Sequence, residues 1–141
     1  MSDMKKILVP VDFSANSDKL IDYAVSFAAK FSASISLLNV IENPLSYDGF
    51  VSAQIDENLK VAVEQKMKNL IEDRKDGSSI TEAKVVIGDT VDTIIESAKN
   101  HDLIIIGTHG YRGLKKILMG SVAERVVKNS PCPVLVFNPY K

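Results

Sequence analysis

The chain has 141 residues, 45% of them hydrophobic and 25% charged, which suits one domain able to bury its own core and excludes a disordered chain. Seventeen Lys and Arg against eighteen Asp and Glu leave a net charge of −1, without the basic excess that holds proteins to nucleic acid or anionic lipid. The one cysteine, Cys132, excludes an internal disulfide and fits a reducing compartment. In chain order, the first apolar run is Lys6-Ile-Leu-Val-Pro-Val11, read as a strand and stopped by Asp12. Its apolar part is shorter than the roughly 7–15 residues of a secretory signal, and no run approaches the roughly 20 needed to cross a bilayer. A cytoplasmic protein with no membrane or nucleic-acid partner is the expectation.

Beyond Phe13, Ser14-Ala-Asn-Ser17 offers side chains able to cap a helix. Residues 18–31 then set Leu20, Ile21, Ala24, Val25, Phe27, Ala28 and Phe31 at helical spacing. A second strand is expected over Ser34-Ile-Ser-Leu-Leu-Asn-Val-Ile41. Residues 42–52 carry Pro44 and Gly49 without a period and read as a surface loop. From about 53 to 74, Ile55, Leu59, Ala62, Val63, Met67, Leu70 and Ile71 trace a helical face, which Asp76-Gly-Ser-Ser79 breaks. Ala83-Lys-Val-Val-Ile87 reads as a third strand, followed by Gly88-Asp89 and a helix marked by Val91, Ile94, Ile95 and Ala98. Leu103-Ile-Ile-Ile106 is apolar at every position, as strands are when helices cover both sheet faces. After a Gly-rich stretch from Gly107 to Gly120, Val122, Ala123, Val126 and Val127 mark a fourth helix that Ser130-Pro131 ends. Pro133-Val-Leu-Val-Phe137 is the fifth strand. Strands alternating with helices predict an α/β fold: a parallel, doubly wound five-stranded sheet with helices on both faces, a three-layer sandwich. With no internal repeat or linker, residues 1–141 read as one domain.

Such sheets bind ligands outside the carboxyl ends of their strands. Asp12 follows strand one, Val40 and Ile41 lie at the end of strand two, and Gly107-Thr-His-Gly110 follows strand four. Nine residues later Gly120-Ser121 opens a helix. The first amides of that helix have no partner within it and, with the helix dipole, form an anion site that a glycine lets a phosphate approach. Ser121 adds a hydroxyl, and Gly107 and Gly110 would let the chain turn sharply off strand four. The competing reading is that these glycines serve turn geometry and Ser121 caps the helix. No Gly-Lys-Ser/Thr, Gly-x-Gly-x-x-Gly or Gly-x-Ser-x-Gly motif is present, so a P-loop, a dinucleotide fingerprint and a nucleophile elbow are excluded.

The spacing Gly107-x-x-Gly110-x9-Gly120-Ser121, the opening Lys6-Ile-Leu-Val-Pro-Val-Asp-Phe-Ser14 and the close from Val122 to Val136 resemble the universal stress protein family. The glycine pattern resembles the ATP-binding branch of that family. The resemblance implies a Rossmann-like fold of the adenine nucleotide alpha hydrolase type. It implies that Asp12 meets the ribose hydroxyls or a phosphate-bound magnesium ion and that the backbone of Val40 meets adenine. Gly107, His109 and Gly110 would then line the ribose and phosphates, Gly120, Ser121 and Val122 would hold the outer phosphates, and Pro10 and Val11 would shape the wall. It also implies a homodimer through the last strand, whose apolar edge needs cover.

Each of these residues has a plainer reading. Asp12 can cap the turn into the first helix, and His109 can be a solvated loop residue. Arg112, Lys115 and Lys116 could screen phosphate charge or mark the wet face of an amphipathic turn with Leu114, Ile117 and Leu118. His101 beside Asp102 reads as structural. Cys132, between two prolines, reads as packing, and two histidines with one cysteine argue against a structural zinc site. Three functions follow for comparison. One is an ATP-holding regulatory protein, another a slow ATPase or phosphotransferase, and the last a nucleotide-free interaction module. Turnover needs a water-positioning group and a cationic clamp, a set the sequence does not supply beyond Asp12, His109, Lys115 and Lys116, so slow hydrolysis at most is expected.

Overall fold

The computed structural model describes residues 4–42, 53–74, 79–108 and 119–140. Its strands are β1 (Lys6–Pro10), β2 (Ser34–Glu42), β3 (Ile80–Gly88), β4 (Leu103–Gly107) and β5 (Val134–Phe137). Its helices are α1 (Ser17–Phe31), α2 (Ala53–Glu72), α3 (Thr90–Ala98) and α4 (Ser121–Asn129). The strands form one parallel sheet in the order β3-β2-β1-β4-β5. The chain builds outward from β1 through β2 to β3, then crosses back to place β4 on the other side of β1. The strand order therefore reverses between β1 and β4, and that is where a crevice opens in sheets of this kind.

The alternation of strand side chains divides the core in two. Ile7, Val9, Ile35, Leu37 and Ile105 face α1 and Met67 of α2. Leu8, Leu38, Ile104 and Ile106 face α3 and α4. Ile104 and Ile105 are both fully buried because each face has its own helical cover. This is the expected Rossmann-like α/β arrangement with helices on both faces.

Some expectations change in detail. β3 begins at Ile80, before the expected Ala83, because Thr81, Glu82, Ala83 and Lys84 lie exposed on an edge strand where polar residues can pair without burial. Phe31 is 50% exposed and Leu59 46% exposed, so both apolar stripes extend past the core they were expected to fill. α2 ends at Glu72, before residue 74. The capping side chains expected in Ser14-Ala-Asn-Ser17 do not cap as such: Asn16 is the N-cap of α1 but makes no side-chain cap bond. Its Nδ2 donates to the Tyr140 hydroxyl at 3.3 Å instead. The expected loop at 43–52 and the helix break at 75–78 lie outside the described residues, while Glu42 belongs to β2.

Candidate functional site

A cavity of about 540 Å³ lies at the carboxyl edge of the sheet, within the roughly 300–1,000 Å³ of small-molecule pockets. Its walls come from the ends of β1, β2, β4 and β5 and from the first turns of α1, α3 and α4. Pro10, Val11, Asp12, Val40, Gly107, Gly120, Ser121 and Val122, separated by up to 112 positions in the chain, all border it. Of the remaining expected residues, His109 and Gly110 lie outside the described residues, as do Arg112, Lys115 and Lys116.

The β1 side is a tight turn. Val11 extends the ladder by one bond, its amide donating to the Leu38 carbonyl at 2.8 Å. Phe13 then takes φ 60°, a left-handed conformation that costs a non-glycine residue about 1–2 kcal/mol. Asp12 holds the turn. Its Oδ1 accepts from the Ser14 amide at 2.9 Å and from the Ser17 hydroxyl at 3.3 Å, while Oδ2 has no partner among the described residues. The plainer role weighed for Asp12 is thus real, and it leaves one carboxylate oxygen on the side chain uncommitted.

The β4 side differs from expectation. Gly107 does not turn the chain off the strand: it is paired with Phe137, and the Thr108 amide still donates to the Phe137 carbonyl at 2.8 Å. The buried Thr108 carbonyl in turn accepts from the Gly120 amide. One residue therefore fastens both the end of β5 and the start of α4.

At α4 the N-cap is Gly120, with φ −71° and ψ 162° and no side chain to cap with. The Gly120 carbonyl accepts from the Glu124 amide at 3.0 Å, the first bond of the helix. Among the described residues nothing accepts from the amides of Ser121, Val122 and Ala123. The Ser121 hydroxyl makes no cap bond among the described residues either. Three donors without acceptors thus stand at the positive end of a helix and border the cavity, the arrangement in which helix starts take up anions.

At α3, by contrast, Asp89 is the N-cap and its Oδ2 accepts from the Asp92 amide at 2.9 Å. Glu42, at the end of β2, accepts at Oε1 from the Thr90 amide at 3.2 Å and from the Thr90 hydroxyl. The remaining walls are apolar, chiefly Leu38, Ile94, Ile106 and Met119.

Sequence reasoning missed several wall residues. Phe137 and Pro139 come from beyond the expected site because β5 ends beside β4. Asn39 also borders the cavity, and a lone amide in an apolar run is the sequence signal of a buried hydrogen bond that would have found it. His101 and Cys132 stand apart from the cavity. The His101 Nδ1 donates to the Ser97 carbonyl at 2.7 Å, and burial pushes the Cys132 thiol above its ordinary pKa. Both fit the structural roles expected of them. Among the described residues no three metal-ligating side chains cluster, and no helix is long and apolar enough to cross a membrane.

Comparison with known proteins agrees with this architecture. The model of the Universal stress protein family matches residues 4–138. Universal stress protein MJ0531 of Methanocaldococcus jannaschii is 36% identical over 138 residues, covering 94% of this chain and 81% of that protein. The solved structure of MJ0577, a universal stress protein of the same organism, superposes with a TM-score of 0.83 at 32% identity over 97% of both chains. A universal stress protein solved in complex with cAMP shares the fold, with a TM-score of 0.67 at 23% identity over 98% of this chain and 99% of that one.

Proposed function

Because the chain belongs to the universal stress protein family, we propose that it is a cytoplasmic regulatory protein that holds ATP in the cavity between β1 and β4. The observation that carries the reading is the start of α4, where the Ser121, Val122 and Ala123 amides lack acceptors and border that cavity. The triphosphate would sit there, reached closely because Gly120 has no side chain. The apolar wall of Leu38, Ile94 and Ile106 suits a nucleobase. The uncommitted Oδ2 of Asp12 suits the ribose hydroxyls. His109 and Gly110 would complete the ribose and phosphate side. Magnesium would be held by the phosphate oxygens, with Asp12 the one carboxylate among the described residues that line the cavity.

Hydrolysis would be slow at most. Rapid phosphoryl transfer needs a positioned water and cationic charge at the γ-phosphate. The charged side chain that borders the cavity among the described residues is Asp12, whose Oδ1 is already committed to the turn.

The two sheet edges support a homodimer through β5. The β3 edge carries the Glu82–Lys84 ion pair at 2.9 Å, the kind of charge that discourages strand addition. β5 carries Val134, Leu135, Val136 and Phe137 at an edge, all half-buried and uncharged. Sedimentation at micromolar concentration should return two subunits, and one subunit would refute the pairing.

The nucleotide reading is tested by extracting bound ligand from purified protein and following added ATP for hours with and without magnesium. Retained, intact ATP supports it. Prompt appearance of ADP would make the protein an ATPase, and absence of binding would leave a nucleotide-free interaction module.

A further inference from the structure

Asn39 is a polar side chain in the apolar run of β2, 8% exposed and bordering the cavity. Its Nδ2 donates to the Val11 carbonyl at 2.8 Å. That bond stands where a main-chain bond is due. In a parallel ladder a residue donates to one neighbour's carbonyl and accepts from the amide two positions further along the same neighbour. Val11 makes the first of these bonds, to the Leu38 carbonyl, so the Val40 amide is the donor due at the Val11 carbonyl. The carboxamide has taken that acceptor, and no Val40-to-Val11 bond forms.

The alternation of main-chain groups along β2 directs the Val40 amide toward the β1 side. There the β1–β2 register has ended at the pair Pro10 and Leu38 and the cavity begins. Val40 is half-buried, at the rim of the cavity, and its amide has no acceptor among the described residues; a donor left so gains by meeting a ligand atom. We propose that Asn39 is a positioning residue, which occupies the Val11 carbonyl and thereby leaves the Val40 amide free to donate to a nucleobase ring nitrogen. The proposal rests on the nucleotide reading for the identity of the acceptor, but the state of the Val40 amide in the free protein does not depend on it. The same bond steadies the Val11 carbonyl directly before Asp12 and the left-handed Phe13. An apolar residue at 39 would release the carbonyl, and the ladder would run one bond further into the site.

The test uses the full chain with Asn39→Leu, which removes the donor, and Asn39→Asp, which keeps the shape but cannot donate when ionised. Amide exchange and binding of AMP, ATP and inorganic tripolyphosphate are measured for each. In the free wild-type protein the Val40 amide should exchange rapidly and become protected when AMP is added. In free N39L it should already be protected. Both variants should bind AMP and ATP about tenfold more weakly, by the same factor, the loss of about one hydrogen bond. Their affinity for tripolyphosphate should be unchanged.

Slow exchange at Val40 in the free wild-type protein would overturn the proposal. So would unchanged AMP affinity in folded N39D, or an equal loss for tripolyphosphate, which would mean general damage to the site. If N39L does not fold, N39D and the wild-type exchange measurement decide. If the wild-type protein binds no adenine nucleotide, the functional reading falls, while exchange at Val40 in wild type and N39L still decides what Asn39 does.

Discussion

α3 and α4 both begin at the carboxyl edge of the sheet and border the same cavity, yet their first turns are built in opposite ways. At α3 the chain supplies its own anions: Asp89 takes the Asp92 amide, and Glu42 takes the Thr90 amide and hydroxyl. At α4 the capping position is a glycine, and the amides of residues 121–123 have no acceptor among the described residues. Both helix starts carry a positive dipole end. Carboxylates neutralise the one at α3, whereas the one at α4 meets no acceptor among the described residues. The contrast gives the cavity a direction that shape alone would not, and in the proposed function the phosphates take the α4 side and the base and sugar the other.

The strongest way to break this contrast is to give α4 the cap that α3 has. Gly120→Asp should lower ATP affinity by at least ~100-fold, while the new cap raises stability by a few tenths of a kcal/mol. The φ and ψ of Gly120 are open to any residue, so the fold should persist, and titration calorimetry beside thermal melting reads both effects. Gly120→Val adds bulk without charge and should abolish most binding too, with less loss than Asp. Affinity equal to wild type in both would mean the polyanion lies elsewhere. The reciprocal change, Asp89→Ala, should cost about 1 kcal/mol of stability through the lost cap and leave ATP affinity within about twofold, because in the proposed function the phosphates lie at α4. A large fall in affinity there would erase the distinction between the helices. Glu42→Gln keeps an acceptor for Thr90 but removes the charge, so denaturant melts should show a smaller cost of about 0.3–1 kcal/mol.

The smallest expected effect lies at the opposite edge of the sheet, where an acid also meets main-chain donors. The Asp102 carboxylate accepts from the Lys6 amide at 2.9 Å and the Lys5 amide at 3.0 Å, and these bonds hold its pKa below the ordinary value. A depressed carboxyl pKa contributes stability above the unfolded value, near 3.9, and loses it as the pH falls through the folded value. Asp102→Asn should therefore melt earlier than wild type at neutral pH, and the gap should close as the solution is acidified below about pH 4. A gap that persists at low pH would show that the carboxylate charge is not what matters there.

How much of this was legible varied with the kind of signal. Periodicity located each helix and strand among the described residues to within a few residues, because burial on one or both faces leaves a pattern in the side chains themselves. It failed at Ile80-Thr-Glu-Ala, where an edge strand pairs through its backbone and asks little of its side chains. The glycine and serine at 120–121 were legible as a candidate anion site because a glycine before a helix has few physical meanings. The roles of Asn39 and Thr108 were not, since each consists of a hydrogen bond to a main-chain atom far along the sequence: Val11, 28 positions away, for Asn39, and Phe137 for Thr108.

The amino-acid order alone therefore determined which segments become strands and helices, that the sheet is parallel, and which short stretches could hold a phosphate. Only the folded chain decided that those stretches meet. The crossing of β4 to the far side of β1 brings residues 10–12, 38–40, 106–108 and 119–123 around one cavity. It also decided that one helix start is closed and the other open. The physical reason is range: side-chain periodicity reports a local average over burial, whereas a main-chain donor is free or engaged according to one acceptor that folding brings from elsewhere in the sequence.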